Sequence, residues 1–133
     1  MGALPTILEN KNVLITGASG GLGGCIAKQF AVEGCNLYLT GRNEESLRSL
    51  AKEIGTNFDR EIFYKTANLE NLKDVQDLST DVKAQFKNID ILINCAGVFI
   101  VKSVAKTTKD DFQNTFNLNV RAPFLLCQEF CQE

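Results

Sequence analysis

Histidine and tryptophan are absent from this sequence of 133 residues, and proline occurs only twice. Without histidine the chain has no histidine-based catalytic triad, no histidine-rich metal site and no general base of the usual kind at neutral pH. No apolar run approaches the roughly 18 residues that a membrane span needs. The net charge of −2 disfavours nucleic acids and anionic membranes, which select basic surfaces. We therefore expect no metal, no nucleic acid and no membrane partner.

The five cysteines are odd in number and form no Cys-x-x-Cys motif. This usage predicts reduced thiols in a cytoplasmic protein rather than a disulfide framework or a zinc site. Residues 1–10 lack a basic stretch followed by an apolar core, so no secretory signal is predicted. Residues 1–6 match the loose N-myristoylation pattern, but a flexible lead-in to the first strand is the preferred interpretation.

Short apolar runs alternate along the chain with segments of helical periodicity. The composition, with 44% hydrophobic and 23% charged residues, suits a protein with a globular core. The runs predicted as strands are residues 13–15, 37–39, 62–64 and 91–93. The predicted helices follow them, with a start near Leu22 and a stop at Gly34, caps at Asn43 and Asn71, and a capping box of Thr108 and Asp111.

Each later helix presents one apolar face. The second has Leu47, Leu50, Ala51 and Ile54 followed by Gly55, the third has Val75, Leu78, Val82 and Phe86, and the last has Phe112, Phe116 and Val120. Pro123 is expected to kink the last helix because it lacks a donor and crowds the preceding turn. Wholly apolar strands between amphipathic helices predict a parallel sheet covered on both faces. The predicted fold class is α/β, a Rossmann-like doubly wound sheet of order 3-2-1-4 in one domain, residues 1–133.

The turn between the first strand and the first helix has the sequence Thr-Gly-Ala-Ser-Gly-Gly-Leu-Gly, residues 16–23. Gly17 permits a tight turn, Gly21 lets the backbone approach a pyrophosphate, and Gly23 lets the helix pack close to the strand. The start of the helix offers unpaired N–H groups and a positive dipole end to phosphates. Because a strand precedes the turn and a helix follows it, the turn indicates nucleotide binding.

The spacing of this turn resembles that of the short-chain dehydrogenase/reductase family. Residues 94–97, Asn-Cys-Ala-Gly, resemble the family's Asn-Asn-Ala-Gly turn, and residues 116–120 resemble its segment around a catalytic asparagine, here Asn119. Residues 68–69 stand where the family has an Asp and an aliphatic residue near the adenine. Besides Asn119, the implied cofactor-binding residues are Thr16, Gly17, Ser19, Gly21, Leu22, Gly23, Arg42, Asn43, Asn68, Leu69, Asn94, Ala96 and Gly97.

Two residues depart from the family pattern. Asn68 replaces the Asp, but its carbonyl oxygen can still accept from an adenine amino group. Cys95 replaces the second Asn of the turn and is a poorer hydrogen-bonding group, which puts the support of that loop in doubt; no base nearby in sequence makes it a nucleophile. After the second strand stands Arg42 and no carboxylate. A guanidinium binds a ribose 2′-phosphate, so NADPH is predicted over NADH, although Gly20 stands where many NADP-preferring relatives are basic.

Members of the family that this chain resembles are about twice as long as its 133 residues. Their second half supplies a serine and a Tyr-x-x-x-Lys motif, and neither Tyr38 nor Tyr64 begins such a motif here, so both are interpreted as packing residues. We therefore expect the chain alone to be catalytically incomplete. The fourth strand would be a bare apolar edge, and the last helix, with Phe124, Leu125, Leu126 and Phe130, would lack part of its covering. Self-association or marginal folding is the expected consequence.

The function implied by the resemblance is hydride transfer between NADP(H) and a carbonyl or secondary alcohol of a small molecule. The overall pattern is most like that of the 3-oxoacyl-acyl-carrier-protein reductases, and a homo-oligomer is expected for the full-length form. The alternative is a non-catalytic nucleotide-binding or hetero-oligomerising module. A methyltransferase that uses S-adenosylmethionine fits less well, because its glycine turn is spaced differently and it has no role for residues 94–97 or Asn119.

Overall fold

The computed structural model describes Leu4 and residues 6–131. Its four strands are β1 (Asn12–Ile15), β2 (Asn36–Gly41), β3 (Ile62–Thr66) and β4 (Ile91–Ile93). They form one parallel sheet in the order β3-β2-β1-β4. The predicted fold class and strand order are therefore confirmed. The N-myristoylation pattern falls largely on residues 1–3 and 5, outside the described residues, and stays untested.

Five α-helices connect and follow the strands: α1 (Gly21–Val32), α2 (Glu44–Asn57), α3 (Leu72–Gln85), α4 (Lys109–Phe116) and α5 (Ala122–Phe130). A 3₁₀ turn (Val104–Lys106) precedes α4, and a π turn (Asn117–Arg121) joins α4 to α5. The predicted caps are confirmed. The side chains of Asn43 and Asn71 accept from the first turns of α2 and α3, and Thr108 and Asp111 form the reciprocal capping box of α4.

The sheet has one apolar core on each face because strand side chains alternate between faces. Val13 and Ile15 of β1 pack with the inner faces of α1 and α2. Leu14, between them, faces the opposite core with α3 and α5. Both cores contain fully buried side chains, so the strands are covered on both sides as a doubly wound sheet requires.

Tyr38 of β2 is fully buried, and its hydroxyl donates to the carboxylate of Asp81 on α3. Burial, followed by this bond to a carboxylate, raises the pKa of Tyr38 well above its usual value, so the phenol stays protonated. Tyr38 is thus a packing residue, as predicted. Tyr64 lies on β3, the opposite edge of the sheet from β4, and is 36% exposed.

The chain departs from the sequence-based picture in its helices. α2 runs through Gly55 to Asn57, because Gly55 does not take the positive φ with which a glycine ends a helix, as Gly34 does after α1. Pro123 is expected from the sequence to kink the last helix. Instead, α4 and α5 are joined just before Pro123 by the π turn, whose hydrogen bonds differ from those of an α-helix. The change of pattern lies where proline has no N–H to donate. The apolar face that begins at Phe112 is not buried; its exposed side chains are Phe112, Phe116, Val120 and Phe124.

The other expectations about exposed apolar surface are met in part. β4 lies at one edge of the sheet, and its three residues are half-buried. In α5, Leu126 is fully buried, whereas Leu125 and Phe130 are half-buried. All five cysteines are free thiols. Within the described part of the chain, no helix is both long enough and apolar enough to cross a membrane.

Candidate nucleotide-binding groove

A groove of about 320 Å³ opens at the carboxyl ends of the strands. Open doubly wound sheets bind ligands at this edge, where the strand order reverses, which here is between β1 and β4. The groove is walled by the glycine-rich turn, the end of β2, the loops after β3 and β4, and the π turn. Its lining residues are Gly17, Ser19, Gly20, Gly21, Leu22, Gly23, Gly41, Arg42, Ala67, Asn68, Leu69, Cys95, Ala96, Gly97 and Leu118.

Two glycines of the turn are required by close backbone contacts. Gly17 has a φ of +66°, and a Cβ there would lie 2.8 Å from the backbone nitrogen of Ala96. A Cβ on Gly23 would lie 2.2 Å from the carbonyl oxygen of Gly17, so α1 packs directly on the turn. These contacts match the roles predicted for both residues, a tight turn and close helix packing.

Gly21, in contrast, has open space where its Cβ would be, with no atom within 4 Å. It is the first residue of α1. The first turn of this helix carries no acidic side chain, and its N-cap residue, Gly20, has no side chain with which to cap the helix. The first N–H groups of the helix are therefore left for an anionic ligand, together with the positive end of the helix dipole. A pyrophosphate fits this open, uncapped helix start.

Thr16 supports the groove from below rather than lining it. Its side chain is buried, and its Oγ1 accepts from the backbone nitrogens of Cys95, at 3.1 Å, and Ala96, at 3.0 Å. The loop after β4 is thus held through its main chain, whatever side chain residue 95 carries. The departure at Cys95, which put the support of this loop in doubt, leaves that support intact.

Asn119 lies in the π turn and holds the loop after β4 from the other side. Its Oδ1 accepts from the backbone nitrogen of Val98 at 2.9 Å, and its Nδ2 donates to the carbonyl oxygen of Val98 at 2.8 Å. A π turn is a frequent feature of functional sites. Asn119 is exposed and does not line the groove, whereas its neighbour Leu118 does.

At the other end of the groove lie Arg42 and Asn68. Arg42 is exposed and has no ion-pair partner among the described residues. The Oδ1 of Asn68, the atom predicted to accept from an adenine amino group, accepts from the backbone nitrogen of Glu70 at 3.2 Å, whereas the amide group of Asn68 is left for a ligand. Arg42 and Asn68 also line a shallow depression beside the groove together with the carboxylate of Asp74.

Of the predicted cofactor-binding residues, three do not line the groove. Thr16 lies beneath it, Asn43 uses its side chain to cap α2, and the Nδ2 of Asn94 lies 3.9 Å from the sulfur of Cys127. The lining residues that the sequence did not predict as cofactor-binding are Gly20, Gly41, Ala67, Cys95 and Leu118. Gly41 carried a usable signal in the sequence, because it stands at the end of the second apolar strand, directly before Arg42. In the structure, a Cβ at Gly41 would lie 2.3 Å from the Oγ of Ser19.

Acidic, cysteine and histidine side chains form no metal-binding group within Leu4 and residues 6–131. The groove offers the backbone N–H groups at the start of α1, the cation of Arg42, the hydroxyl of Ser19 and the amide side chain of Asn68. These groups suit phosphate oxygens and a purine.

Comparison with known proteins agrees with this geometry. The chain is similar to the 3-oxoacyl-[acyl-carrier-protein] reductase of Rickettsia bellii, with 34% identity over 122 residues that cover 92% of this chain and 47% of that protein. A blue fluorescent protein from a metagenomic library, solved in complex with NADPH, is similar over 93% of this chain and 51% of its own, with 28% identity and a TM-score of 0.87.

An L-sorbose reductase from Gluconobacter frateurii, solved with NADPH and L-sorbose, gives a TM-score of 0.88 at 26% identity over 92% of this chain and 46% of its own. The chain thus spans about half the length of the curated relatives it matches. The family model for short chain dehydrogenases matches residues 11–133. With nearly the whole sequence matched, the chain belongs to the short-chain dehydrogenase/reductase family.

Proposed function

We propose that residues 1–133 are the cofactor-binding domain of an NADP(H)-dependent oxidoreductase that acts on a small carbonyl compound or secondary alcohol. The observation that carries the proposal is the glycine turn, in which Gly17 and Gly23 are packed against backbone while Gly21 opens on empty space. Packing alone explains the first two glycines. It leaves the third unexplained, and a dinucleotide pyrophosphate at the start of α1 explains it.

The preference for NADPH over NADH rests on Arg42. Its guanidinium is exposed at the groove without an ion-pair partner in the described part of the chain, and a 2′-phosphate would supply two negative charges there. The two similar solved proteins named above were both complexed with NADPH. The Asp74 carboxylate, which accepts from the backbone nitrogen of Asn68 at 2.8 Å, lines the adjoining depression with Arg42 and would oppose this preference.

The residues proposed to hold the cofactor fall into two groups. Those that line the groove would contact it directly: Gly17, Ser19, Gly21, Leu22, Gly23, Arg42, Asn68, Leu69, Ala96 and Gly97. Thr16, Asn43 and Asn94 would act by holding the lining loops. Bound NADPH would supply the hydride. Asn119 is the proposed catalytic residue, at the end of the groove away from Arg42, where its side chain also holds the main chain of Val98.

Residues 1–133 alone are proposed not to turn over substrate. Tyr38, besides lacking a lysine four residues later, has a buried hydroxyl engaged by Asp81. A positioned acid contributes about 10²–10⁴-fold to a rate. We expect no NADPH-dependent carbonyl reduction by this chain, and measurable turnover that disappears in Asn119→Ala would contradict the proposal. The substrate remains a proposal, with 3-oxoacyl thioesters suggested by the Rickettsia relative.

A fluorescence titration of the chain with NADPH and with NADH tests the cofactor proposal. Arg42→Ala is expected to weaken NADPH binding by about 10- to 100-fold, the scale of charge-assisted hydrogen bonds, and to leave NADH binding nearly unchanged. Arg48→Ala is the matched control, because Arg48 is exposed on α2 and does not line the groove. Equal losses for both nucleotides, or an equal loss in the control, would refute the role of Arg42.

A second candidate function is a non-catalytic module that pairs with another chain. The exposed face of Phe112, Phe116, Val120 and Phe124 favours it, because isolated proteins seldom expose so many neighbouring apolar side chains. Light scattering tests the apolar face: we expect self-association, and a sharp monomer peak with a cooperative melt would contradict it. A stable complex with a different chain, together with nucleotide binding and no turnover, would favour the module. Either function is proposed for the cytoplasm, without a nucleic-acid or membrane partner.

A further inference from the structure

Arg121, the last residue of the π turn, makes an unusual connection. Its Nη2 donates to the backbone carbonyl oxygen of Glu70 at 2.7 Å, a contact between residues 51 positions apart. Its Nε is buried and has no hydrogen-bond partner among the described residues. Leaving a buried donor of a charged group unpaired costs free energy.

Glu70 belongs to the turn that forms the predicted adenine wall. In this turn the Oδ1 of Asn68 accepts from the backbone nitrogen of Glu70, and the carbonyl oxygen of Asn68 accepts from the backbone nitrogen of Asn71 at 2.9 Å. Asn68 and Leu69 line the groove. A donor that fixes the carbonyl oxygen of Glu70 therefore fixes the position of the two lining residues next to it.

The same π turn carries Asn119, which binds the loop after β4 at Val98 by two hydrogen bonds. One short segment thus holds two separate walls of the groove, Arg121 the loop after β3 and Asn119 the loop after β4. Leu118 of the same turn lines the groove between them. A shift of the π turn would move both walls together.

We propose that Arg121 is a positioning residue that fastens the adenine wall at residues 68–70 to the π turn, so that the adenine end and the Asn119 end of the groove are set by one segment. The consequence for nucleotide affinity rests on the proposed function. Arg121 itself does not line the groove and is not assigned a contact with the nucleotide.

The test compares Arg121→Met, which removes the donor, with Arg121→Lys, which keeps a cation that can reach a carbonyl oxygen. Lys83→Met is the matched control. Lys83 pairs with Glu129, so it joins the ends of α3 and α5, whereas Arg121 joins the segments at their starts. Both substitutions remove a cation that links the same two helical segments, but only Arg121 acts next to the groove.

The first arm needs no nucleotide and follows amide hydrogen exchange by NMR. In Arg121→Met we expect the amides of Glu70 and Val98 to exchange about tenfold faster than in Lys83→Met, while the central strands change equally in both variants. Faster exchange at Glu70 alone would overturn the coupling between the two walls. A uniform increase over the whole chain would show that Arg121 only stabilises the fold.

The second arm titrates the variants with NADPH and with 2′,5′-ADP, which has the adenine end and no nicotinamide. Arg121→Met should weaken both ligands by the same factor, about tenfold, and Arg121→Lys should stay within about threefold of the parent chain. Loss of NADPH binding with unchanged 2′,5′-ADP binding would overturn the proposal. If the parent chain binds neither ligand, the proposed function fails, and the exchange arm alone decides the role of Arg121.

Discussion

Replacing Gly23 with alanine is the sharpest test of the glycine turn, because the structure gives the clash. The new Cβ would lie 2.2 Å from the carbonyl oxygen and 2.7 Å from the carbonyl carbon of Gly17, and 2.9 Å from the Cα of Ala18. All three contacts are with backbone, which cannot rotate away as a side chain can. α1 or the turn must move, and forced expansion of a packed site costs about 1–3 kcal/mol, occasionally more.

An opposing effect reduces this cost, since alanine is favoured over glycine inside a helix by about 1 kcal/mol. Gly55 measures that opposing effect in the same chain, because it lies in the last turn of α2, is exposed, and has no atom within 4 Å of an added Cβ. We expect Gly55→Ala to raise the free energy of unfolding by about 0.5–1 kcal/mol. Gly23→Ala should lower it by about 2 kcal/mol, a large fraction of the roughly 5–15 kcal/mol of a typical domain.

Urea unfolding followed by circular dichroism gives both values, and titration with NADPH adds the functional comparison. Gly21→Ala should leave stability unchanged or slightly higher, because its Cβ enters open space, yet should weaken NADPH binding by at least about tenfold. Gly23→Ala as stable as the parent chain would refute the close packing of α1 on the turn. Full NADPH affinity in Gly21→Ala would refute the placement of the pyrophosphate.

Two further predictions concern the supports of the groove. Thr16→Val should lower the free energy of unfolding by about 1–3 kcal/mol in urea titrations, because the backbone nitrogen of Ala96 loses its acceptor, and Thr16→Ser should restore it. Hydrogen bonds, first from Lys102 and then from Thr108, lower the pKa of Asp111 from 3.8 to about 2. The ionised carboxylate therefore stabilises the fold at pH values above 3.8, and this contribution is lost as the pH falls toward 2. Asp111→Asn should flatten the acid limb of the stability curve in that range; an unchanged limb would contradict this.

The strand order could be predicted from the fixed handedness of the crossovers between parallel strands, and most helix starts could be predicted because they depend on local chemistry. Asn43, Asn71 and Thr108 each begin a helix through a hydrogen bond to a residue two or three positions later, and such bonds can be read from adjacent sequence. Gly55 shows the limit of that reasoning. A glycine ends a helix only when the chain needs a left-handed residue there, as it does at Gly34, where φ is +87°.

The parts of the site that could not be predicted depend on contacts between distant segments. Nothing near Thr16 in sequence shows that its hydroxyl accepts from residues 95 and 96, about 80 positions away. The π turn could be predicted only in part. Pro123 predicts an irregularity in the last helix, but the apolar pattern from Phe112 to Phe124 does not show that it takes the form of a π turn at Asn117–Arg121.

The contacts that Thr16 and Asn119 make with the loop after β4 also explain why the chain tolerates a departure from its family's pattern. Asn94-Cys95-Ala96-Gly97 lacks the second asparagine of the family turn, yet the loop is held by Thr16 through main-chain nitrogens and by Asn119 through the main chain of Val98. Bonds to the main chain do not depend on the side chain at position 95. The substitution therefore changes the chemistry of the groove lining, where Cys95 is half-buried, and leaves the shape of the groove in place.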